Sequence, residues 1–320
     1  MGGLTLQRAG PRRRPEAAIH VLVMNYRHAF HAGNFADLLK HAVLSLCIEH
    51  LKKKPSPFRY LDSHAGIGAY DLFSDEARRN PEWEDGIARL INAAPTPEIA
   101  PILAPLLDTV KAMNPDGALS AYPGSPELAA RLMREHDRIT LCELHPQDSR
   151  TLDQRYAKDA RVKVEMRDGY KALRALLPPR EKRGLVLVDP PFEHRDEMAH
   201  MAEAALGALN KWPQGTYIFW RPLKDIWAAE RFDVGFAEWL IEDKGFDAEK
   251  ILRADLWIRD LDSEGGLAGA GVVIVNPPFT LEADLKALLP WLCDLLAHDD
   301  DAGWRLDGAI AEDSLSVDEF

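Results

Sequence analysis

Short apolar segments alternate with amphipathic segments along most of this chain. Apolar runs bounded by Gly, Pro, Asn or Asp predict strands, and apolar residues three or four positions apart predict helices. The predicted strands are 58–66, 139–144, 162–168, 184–191, 215–222, 251–260 and 271–278. The predicted helices are 28–53, 125–136, 146–157, 169–177, 195–209, 223–243 and 280–297. This alternation indicates an α/β fold with a mostly parallel sheet covered on both faces.

Two departures from the alternation refine this picture. Only the glycine-rich link SEGGLAGAG separates the last two strands, so we expect them to form an antiparallel hairpin at the sheet edge. Roughly seventy residues separate the first two strands, where a whole crossover unit usually needs about thirty. We therefore predict a helical insertion at about 74–118 in a seven-stranded sheet.

The two ends of the chain look different from its centre. Residues 1–23 show no helical period and contain PRRRP, so we expect an extension that precedes a functional start at Met24. Residues 299–320 carry eight acids and one Arg, which is typical of a flexible acidic tail. The remaining residues, 24–298, are predicted to form one domain.

Composition narrows the class of protein. No apolar run is long enough to span a bilayer, so we expect a soluble, cytoplasmic protein with no membrane partner. Cys47, Cys142 and Cys293 lie far apart in apolar segments, which predicts free buried thiols and no disulfide or metal site. Since the sequence shows no sustained heptads, we expect a monomer.

The formal net charge of −12 argues against a protein that binds nucleic acid through its whole surface. Any such contact must come from a local basic patch. We expect that patch near the mouth of the ligand site, and its candidate cations are Arg27, Lys40, Arg59, Arg195, Arg221 and Lys224.

Polar and glycine-rich loops follow the first three predicted strands. In open α/β sheets, ligands bind outside the carboxyl ends of the strands, near the switch in strand order. The loop DSHAGIG has Gly66 and Gly68, which let the backbone approach a ligand, but it lacks the third glycine of the dinucleotide fingerprint. Glu143 could accept hydrogen bonds from ribose hydroxyls, and Asp168 from an adenine amino group. Each acid alone is more often a cap or a solvated charge, but together they favour such a ligand.

The fourth strand ends in LVLVDPPF, with a carboxylate, two prolines and an aromatic ring. The amino group of adenine is a poor nucleophile because its lone pair is delocalised into the ring. Asp189 and the backbone carbonyl of Pro190 could accept its two N–H groups and aim the lone pair at an electrophilic methyl. Phe192 offers a stacking surface for a base that has left its own stack. The simpler interpretation is a proline turn with Phe192 in the core, and the three preceding loops argue against it.

A near repeat of this motif occurs in VVIVNPPF at 272–279. It follows the final hairpin, where no ligand loop of this fold lies. We therefore predict that NPPF (276–279) is a structural strand stop and that only the first motif is a site.

These motifs together resemble one known family. The chain is similar to the RlmJ family of class I, S-adenosylmethionine-dependent methyltransferases, over about residues 24–291. The segments that carry the resemblance are YRHAFHAGNFADLLKH (26–41), YLDSHAGIGAY (60–70), YPGSP (122–126), ELHP (143–146), RDG (167–169), LVLVDPPF (185–192) and NPPF (276–279). The resemblance implies a Rossmann-like fold and methylation of adenine N6 in 23S ribosomal RNA, at position 2030.

The resemblance also implies roles for residues around the cofactor S-adenosyl-L-methionine. His41 and His64 would contact its methionine end, with Ser125 beside them, and Gly66 would also bind the cofactor. Glu143 would bind its ribose. Its adenine would lie against Asp168 and Gly169, and Asp189 would face the methyl donor.

The same resemblance places three residues toward the substrate. Asp189 would hold the target amine, Tyr26 would meet the RNA, and Lys40 matches the same motif with a less defined role. The family usually has Tyr where this chain has Phe192. Because Phe keeps the stacking face and loses only a hydroxyl, we expect activity to survive.

Two other interpretations stay open at this stage. The same enzyme chemistry could act on a DNA adenine or a protein glutamine. Alternatively, the chain could be a non-catalytic RNA-binding module that keeps the fold, although the intact loops and Asp189 speak against that.

Overall fold

Ten strands form two sheets in the computed structural model, which describes residues 27–194 and 196–308. The strands are β1 Arg59–Asp62, β2 Ala69–Asp71, β3 Ala121–Pro123, β4 Arg138–Cys142, β5 Val162–Glu165, β6 Gly184–Val188, β7 Thr216–Pro222, β8 Ile251–Trp257, β9 Gly269–Val275 and β10 Gly303–Gly308. The main sheet has the order β10-β8-β9-β7-β6-β1-β4-β5. Strands β1, β4, β5, β6 and β7 are parallel, and β9, β8 and β10 continue the sheet in antiparallel pairs. The predicted α/β fold with a mostly parallel sheet is confirmed.

The α-helices occupy the predicted gaps between strands. They are α1 Phe35–Lys52, α2 Asp75–Arg79, α3 Glu82–Asp85, α4 Ile87–Asn92, α5 Ile99–Met113, α6 Ser125–Leu132, α7 Pro146–Tyr156, α8 Gly169–Leu176, α9 Glu197–Lys211, α10 Ile226–Glu238 and α11 Leu281–Leu296. A π-helical turn, Trp239–Asp243, follows α10. No helix among the described residues is both long and apolar enough to cross a membrane.

The strand order creates a switch point beside β1. The chain runs from β1 to β4 and β5 on one side and then returns to β6 on the other side of β1. Residues that follow β1 and β6 therefore lie next to each other. We call the edge where the parallel strands end the carboxyl edge, and the edge where they begin the amino edge.

Helices cover both faces of the sheet. α1, α5, α6 and α11 contribute to the core on one face, and α8, α9 and α10 to the core on the other. β6 is buried along its whole length because it is covered on both sides, and this explains the uninterrupted apolar run GLVLV.

The insertion between β1 and β4 is helical, as predicted. It contains α2 to α5, and α5 packs against α1 through buried apolar residues that include Leu103 and Leu106. A short antiparallel ladder closes it, in which Tyr70 of β2 pairs with Tyr122 of β3. Strands of three residues give too short an alternation to be found from sequence.

The prediction of an acidic flexible tail from residue 299 is wrong for its first part. β10 pairs with β8 over six residues, with Trp304 opposite Leu256 and Leu306 opposite Ala254. β10 therefore forms the sheet edge, the sheet has eight strands instead of seven, and the β8–β9 hairpin lies inside that edge. The clustered acids around WRL hid this strand. Residues 309–320, together with residues 1–26, lie outside the described residues.

Buried charges tie β10 to the sheet and to α10. Arg221 on β7 is fully buried and forms ion pairs with Asp233 of α10 and Asp255 of β8. Arg305 of β10 also binds Asp255, with an Nη2–Oδ2 distance of 2.6 Å. The expectation that Arg221 belongs to a surface patch for nucleic acid is therefore wrong, because its charge is used inside the protein.

Candidate active site

Four carboxylates lie at the carboxyl edge, as the sequence predicts. Asp62 is the last residue of β1, Glu143 directly follows β4, Asp168 comes three residues after β5, and Asp189 directly follows β6. Because β1 and β6 are neighbours at the switch point, Asp62 and Asp189 lie on either side of the crevice where such folds bind ligands.

Asp189 is held by a buried lysine from α1. Lys40 Nζ lies 2.6 Å from Asp189 Oδ2 and 2.8 Å from Asp37 Oδ1, and only 3% of Lys40 is exposed. Burial opposes the lysine charge, but the two carboxylates outweigh it and raise the lysine pKa above its usual value. Lys40 is therefore a permanent ammonium inside the site.

The start of α1 is built to present these groups. Asn34 caps the helix by accepting a hydrogen bond from Asp37 N at 3.0 Å. His28 Nε2 and Gly33 N both contact Asp37 Oδ2 at 2.9 Å. Although burial acts the other way, these neighbours and Lys40 hold the pKa of Asp37 well below its usual value. The polar first turn of α1 thus lies over the site.

Asp62 organises the loop after β1 from inside the protein. Ser125 Oγ donates to Asp62 Oδ2 at 2.6 Å, Tyr60 donates to the same oxygen at 2.7 Å, and His64 N donates to Oδ1 at 3.2 Å. Full burial raises the pKa of Asp62 to about 6, and the charge of Asp189 adds to the effect. Ser125 is itself buried, so the YPGSP loop is fixed to β1.

The glycines of the same loop permit a close approach of the backbone. Gly66 and Gly68 have φ values of +60° and +86°, which other residues rarely adopt. Gly66 N donates to Glu143 Oε2 at 2.8 Å, and His145 N donates to Glu143 Oε1 at 2.7 Å. Burial raises the pKa of Glu143. Glu143 therefore braces two loops and retains further acceptor capacity on each oxygen.

Asp168 caps the following helix. Its Oδ1 accepts hydrogen bonds from Tyr170 N at 3.0 Å and Lys171 N at 3.1 Å. Gly169 packs so closely on Ser63 O that a side chain there would clash. The cap is the ordinary role that the sequence also allowed. Oδ2 lies 3.3 Å from Lys171 Nζ and keeps capacity for a second donor.

Two apolar side chains that sequence reasoning missed lie beside the acids. Leu144 follows Glu143 and is 50% exposed, and Met166 precedes the Asp168 turn and is 65% exposed. Both extend from the carboxyl edge, where parallel β4 and β5 end side by side. Their exposure could not be predicted, because Leu144 and Met166 fall inside the predicted strands 139–144 and 162–168.

The two predicted histidines are neutral. His41 is 1% exposed, and its Nδ1 lies 2.9 Å from the Tyr122 hydroxyl. Burial lowers its pKa to about 3. Burial likewise lowers the pKa of His64 to about 4 against the opposing charges of Asp189 and Asp168. His64 lies at the crevice, whereas His41 lies one layer behind it.

The DPPF loop has a constrained backbone. Phe192 has φ +50°, in the left-handed region that non-glycine residues rarely occupy. Its ring is half-buried and meets Trp220 edge-on, with centroids 5.6 Å apart. Lys40 Nζ lies 5.9 Å from the same Trp220 ring. Trp220, which the sequence did not single out, thus lies against both Phe192 and Lys40.

The second motif lies elsewhere. NPPF follows β9, which runs antiparallel to β7 and ends near the start of that strand. Asn276 adopts φ +53° and donates to Pro213 O at 2.8 Å and Gly215 O at 2.7 Å. Its amide is thus used to hold a turn at the amino edge, which agrees with the predicted strand stop.

The remaining cations predicted for nucleic acid have mixed positions. Arg59 lies at the amino edge and pairs with Glu181 at 2.8 Å, so its predicted place near the site is wrong. Arg27 and Lys224 are exposed. Lys40 is buried against Asp189 and is not on a surface patch. Tyr26 and Arg195 lie outside the described residues.

Comparison with known proteins identifies relatives over most of the chain. The family described as "Ribosomal RNA large subunit methyltransferase D, RlmJ" matches residues 55–309. The chain is 38% identical to "Ribosomal RNA large subunit methyltransferase J" of Haemophilus influenzae, covering 91% of this chain and 100% of the relative. It is 39% identical to the protein of the same name from Escherichia coli, covering 84% and 93%.

A solved structure agrees with these sequence matches. The crystal structure of protein LPL1258 from Legionella pneumophila superposes with a TM-score of 0.78 at 32% identity, covering 88% of this chain and 99% of that one. The matched family region spans β1 to β10 and contains the loops of the carboxyl edge. The chain therefore belongs to the RlmJ family of ribosomal RNA large subunit methyltransferases.

Proposed function

We propose that this protein transfers a methyl group from S-adenosyl-L-methionine to the N6 amino group of an adenine in 23S ribosomal RNA. The observation that carries the proposal is the position of Asp189. It follows β6 at the switch point, on a rigid Pro-Pro turn, with a buried ammonium on one of its oxygens. Family membership supports the substrate class, and position 2030 is the proposed target.

The residues of the carboxyl edge fit this cofactor. Gly66 and Gly68 let the loop after β1 pack tightly, because a β-carbon would clash with the Tyr70 hydroxyl at the first position and crowd α7 at the second. Glu143 retains acceptor capacity for ribose hydroxyls. Asp168 Oδ2 would accept from the cofactor's adenine amino group. Leu144 and Met166 would cover the faces of that ring and lose their exposure. When bound, the cofactor supplies an electrophilic methyl group on sulfur.

We assign the methionine end to the loop beside β1. His64 lies near the charges of Asp189 and Asp168, and Ser125 is fixed to Asp62. A neutral His64 can donate to a carboxylate without adding a competing charge. The backbone of the Gly66 loop would line the same channel, with His41 supporting it from behind through Tyr122. Gly169 keeps its proposed place beside the cofactor's adenine.

At the target amine, Asp189 and Pro190 would each accept one hydrogen bond. Lys40 occupies Asp189 Oδ2, which leaves Oδ1 and the Pro190 carbonyl for the two N–H groups. When both N–H groups donate to these oxygens, the lone pair becomes localised on nitrogen and faces the methyl donor. Transfer of the methyl group to nitrogen would break its bond to sulfur, with the electron pair staying on sulfur as a neutral thioether. The amine would then be cationic and would release one proton, for which Asp189 Oδ1 is the nearest proposed acceptor.

Lys40 fixes the geometry of that acceptor. Its ammonium is shared by Asp37 and Asp189, so the carboxylate cannot rotate freely. Its raised pKa keeps it protonated, and it therefore acts as an electrostatic support and not as a base. This proposal replaces direct contact between Lys40 and RNA, whereas Tyr26 keeps its proposed RNA contact.

The base itself would stack on Phe192. The target adenine must leave its own stack to reach Asp189, and an aromatic face compensates part of that loss. The edge-on contact with Trp220 holds the Phe192 ring in one orientation. We propose that the protein acts as a monomer on RNA that is free of ribosomal proteins or at an early assembly stage.

A transfer assay tests the proposal. Enzyme and cofactor are mixed with unmethylated 23S transcript, DNA of the same sequence or a glutamine-containing peptide, and products are identified by mass spectrometry. We expect N6-methyladenine in the RNA only, and a loss of at least about 100-fold with Asp189→Ala. Absence of product with wild type, methylation of DNA or peptide in preference, or full activity of the variant would refute it.

A further inference from the structure

The NPPF motif has no part in the chemistry proposed above, yet it ends in an unusual residue. Phe279 is 84% exposed, more than any other large hydrophobic side chain in the part of the chain that the structure describes. Pro278, one residue earlier, is buried, and α11 begins two residues later. The protein therefore places a full aromatic ring in solvent beside its core.

The turn that presents Phe279 is rigid. Asn276 sits in the left-handed region and anchors the turn through two carbonyls of the loop before β7. Leu281 N donates to Pro278 O at 2.9 Å, so the first turn of α11 fixes the other side. Since these bonds need no ring at position 279, the strand stop explains Asn276 but not the exposed aromatic side chain.

Basic residues surround the ring. Lys53 Nζ lies 5.8 Å from the centroid of Phe279, within the usual range of a cation–π contact. His50 meets the ring edge-on at 5.2 Å. Arg183 reaches the same loop and donates to Leu51 O at 2.8 Å and Ser56 O at 2.7 Å. Lys54 is exposed on that loop.

The local charge is positive in an acidic protein. Burial and the charges of Lys53, Lys54 and Arg183 lower the pKa of His50. None of these three cations forms an ion pair within the described ranges 27–194 and 196–308. Asp284 faces Lys53, and Glu49 is taken by Lys52 at 2.5 Å. Arg134 also donates to this loop, at Lys54 O, and is paired with Asp137. With Lys52 and Arg134 counted, five cations thus face three carboxylates, against a net charge of −12 for the chain.

We propose that Phe279, Lys53, Lys54 and Arg183 form a second binding site for the RNA substrate, which we call the amino-edge site. A base of a single-stranded segment stacks on Phe279, and the adjoining phosphates lie against the three cations. The ring and the positive charge beside it supply the two kinds of contact by which proteins hold single strands without reading sequence. This inference rests on the proposed RNA substrate.

The amino-edge site lies apart from the reacting groups. Arg183 precedes β6 and Asp189 follows it, so six residues of extended chain place them roughly 20 Å apart. A base on Phe279 cannot be the methylated one. The site therefore contributes to RNA affinity and not to the chemical step, and only an RNA that extends well beyond its target adenine can reach both places.

A protein partner fits this surface less well. The central part of a protein interface is depleted in charge and contains a cluster of apolar anchors. Here one ring stands among lysines and an arginine, with exposed Ser56 and Pro57 beside them. Charge complementarity therefore favours RNA.

Methylation kinetics on two RNAs provide the test. One RNA is the complete unmethylated 23S transcript, and the other is the shortest fragment of it that the wild-type protein methylates. We expect Phe279→Ala to raise KM for the long RNA about tenfold, while kcat and the cofactor Kd stay unchanged. Phe279→Trp should restore the wild-type KM. On the short fragment, wild type and both variants should have equal KM.

Charge reversal adds an independent measurement. Lys53→Glu should weaken binding of the long RNA and reduce the slope of log K against log salt by about one or more. Lys111→Glu, at an exposed lysine of α5 that lies 4.0 Å from Asp108, is the control and should leave that slope unchanged. Circular dichroism and thermal unfolding would show that each variant is folded.

Each outcome separates the two proposals. If wild type methylates RNA but Phe279→Ala leaves the long-RNA KM unchanged, the amino-edge site is refuted and the proposed function stands. If wild type methylates no RNA, the proposed function itself fails. If wild type sediments as a dimer and Phe279→Ala as a monomer, Phe279 serves contact between copies and the RNA site is refuted.

Discussion

A single lysine connects the parts of the candidate active site. Lys40 comes from the first helix, yet it pairs with Asp189, which lies 149 residues later. The sequence indicated Asp189 because it directly follows a buried strand. It could not indicate the ion pair, because the spacing of Lys40 from Asp37 is that of an ordinary helical pair. Only the packing of α1 over the carboxyl edge brings the two together.

We expect Lys40→Met to separate these effects. Without the ammonium, the buried Asp37 and the largely buried Asp189 lose their common partner, so the free energy of unfolding should fall by about 3 kcal/mol. The rate of methylation should fall at least about tenfold, because Asp189 is no longer held in place. Urea unfolding and single-turnover kinetics measure the two quantities. The exposed Lys111→Met is the control, and full activity of Lys40→Met would contradict the assigned role.

Buried titrating groups predict how stability depends on pH. His41 and His64 have folded pKa values of about 3 and about 4, below 6.5, so between about pH 4 and 6.5 only the unfolded chain binds their protons. The free energy of unfolding should therefore rise with pH over this range. Asp62 opposes the rise, because its folded pKa of about 6 exceeds 3.8 and the folded chain keeps that proton.

The effect of Asp62 on the pH dependence of stability can be measured with one variant. Asp62→Asn removes the group whose contribution falls as pH rises, so the increase in the free energy of unfolding between about pH 4 and 6 should become steeper. Urea denaturation at several pH values gives the slope for both proteins. If the free energy of unfolding rises less steeply with pH in the variant than in the wild type, burial does not raise the pKa of Asp62.

At the scale of elements, the sequence predicts correctly those strands and helices that have a long apolar pattern. The strands of the parallel sheet and the helices between them were predicted from sequence because most have buried apolar residues with a clear period, and β5, which is only partly buried, still alternates as VKVE. β2, β3 and β10 were missed. The first two are three residues long, and β10 has Trp304 and Leu306 as its only large apolar residues, shortly after the acidic run 299–301. Pairing with β8, not local pattern, makes it a strand.

The role of β10 can be tested by two truncations. A chain that ends at residue 308 retains β10 and should keep the stability of the full protein. A chain that ends at residue 298 loses Arg305 and Asp307, which bind Asp255 and Arg253 of β8. We expect a loss of about 3 kcal/mol, because two buried charges lose partners. Thermal unfolding compares the stabilities of the two truncated proteins. Equal stabilities would show that β10 is dispensable, as predicted from the sequence.

At the scale of the whole molecule, the parallel sheet separates two kinds of surface. Its carboxyl edge gathers Asp62, Glu143, Asp168 and Asp189, and its amino edge carries Phe279 with unpaired cations. The two proline motifs therefore differ by position and not by composition. The sequence supplied the strand order that makes this distinction, but not the cation cluster, since Lys53, Arg183 and Phe279 come from three distant segments.

The distribution of charge over the whole molecule explains how an acidic protein can act on RNA. Much of the negative charge lies in ion pairs or in the last residues of the chain, and buried Arg221 contributes nothing to the surface. The cations left for RNA are few, so we expect weak, salt-sensitive binding.

The central claim is that Asp189 holds the reacting amine beside the methyl donor. A crystal structure of the protein with a non-reactive analogue of S-adenosylmethionine and adenosine monophosphate tests it most directly. We predict that the adenosine N6 lies within hydrogen-bonding distance of Asp189 Oδ1 and the Pro190 carbonyl, with the donor sulfur facing it from the Gly66 loop. A donor bound away from residues 189–192, or next to Asn276 at the amino edge, would contradict the account.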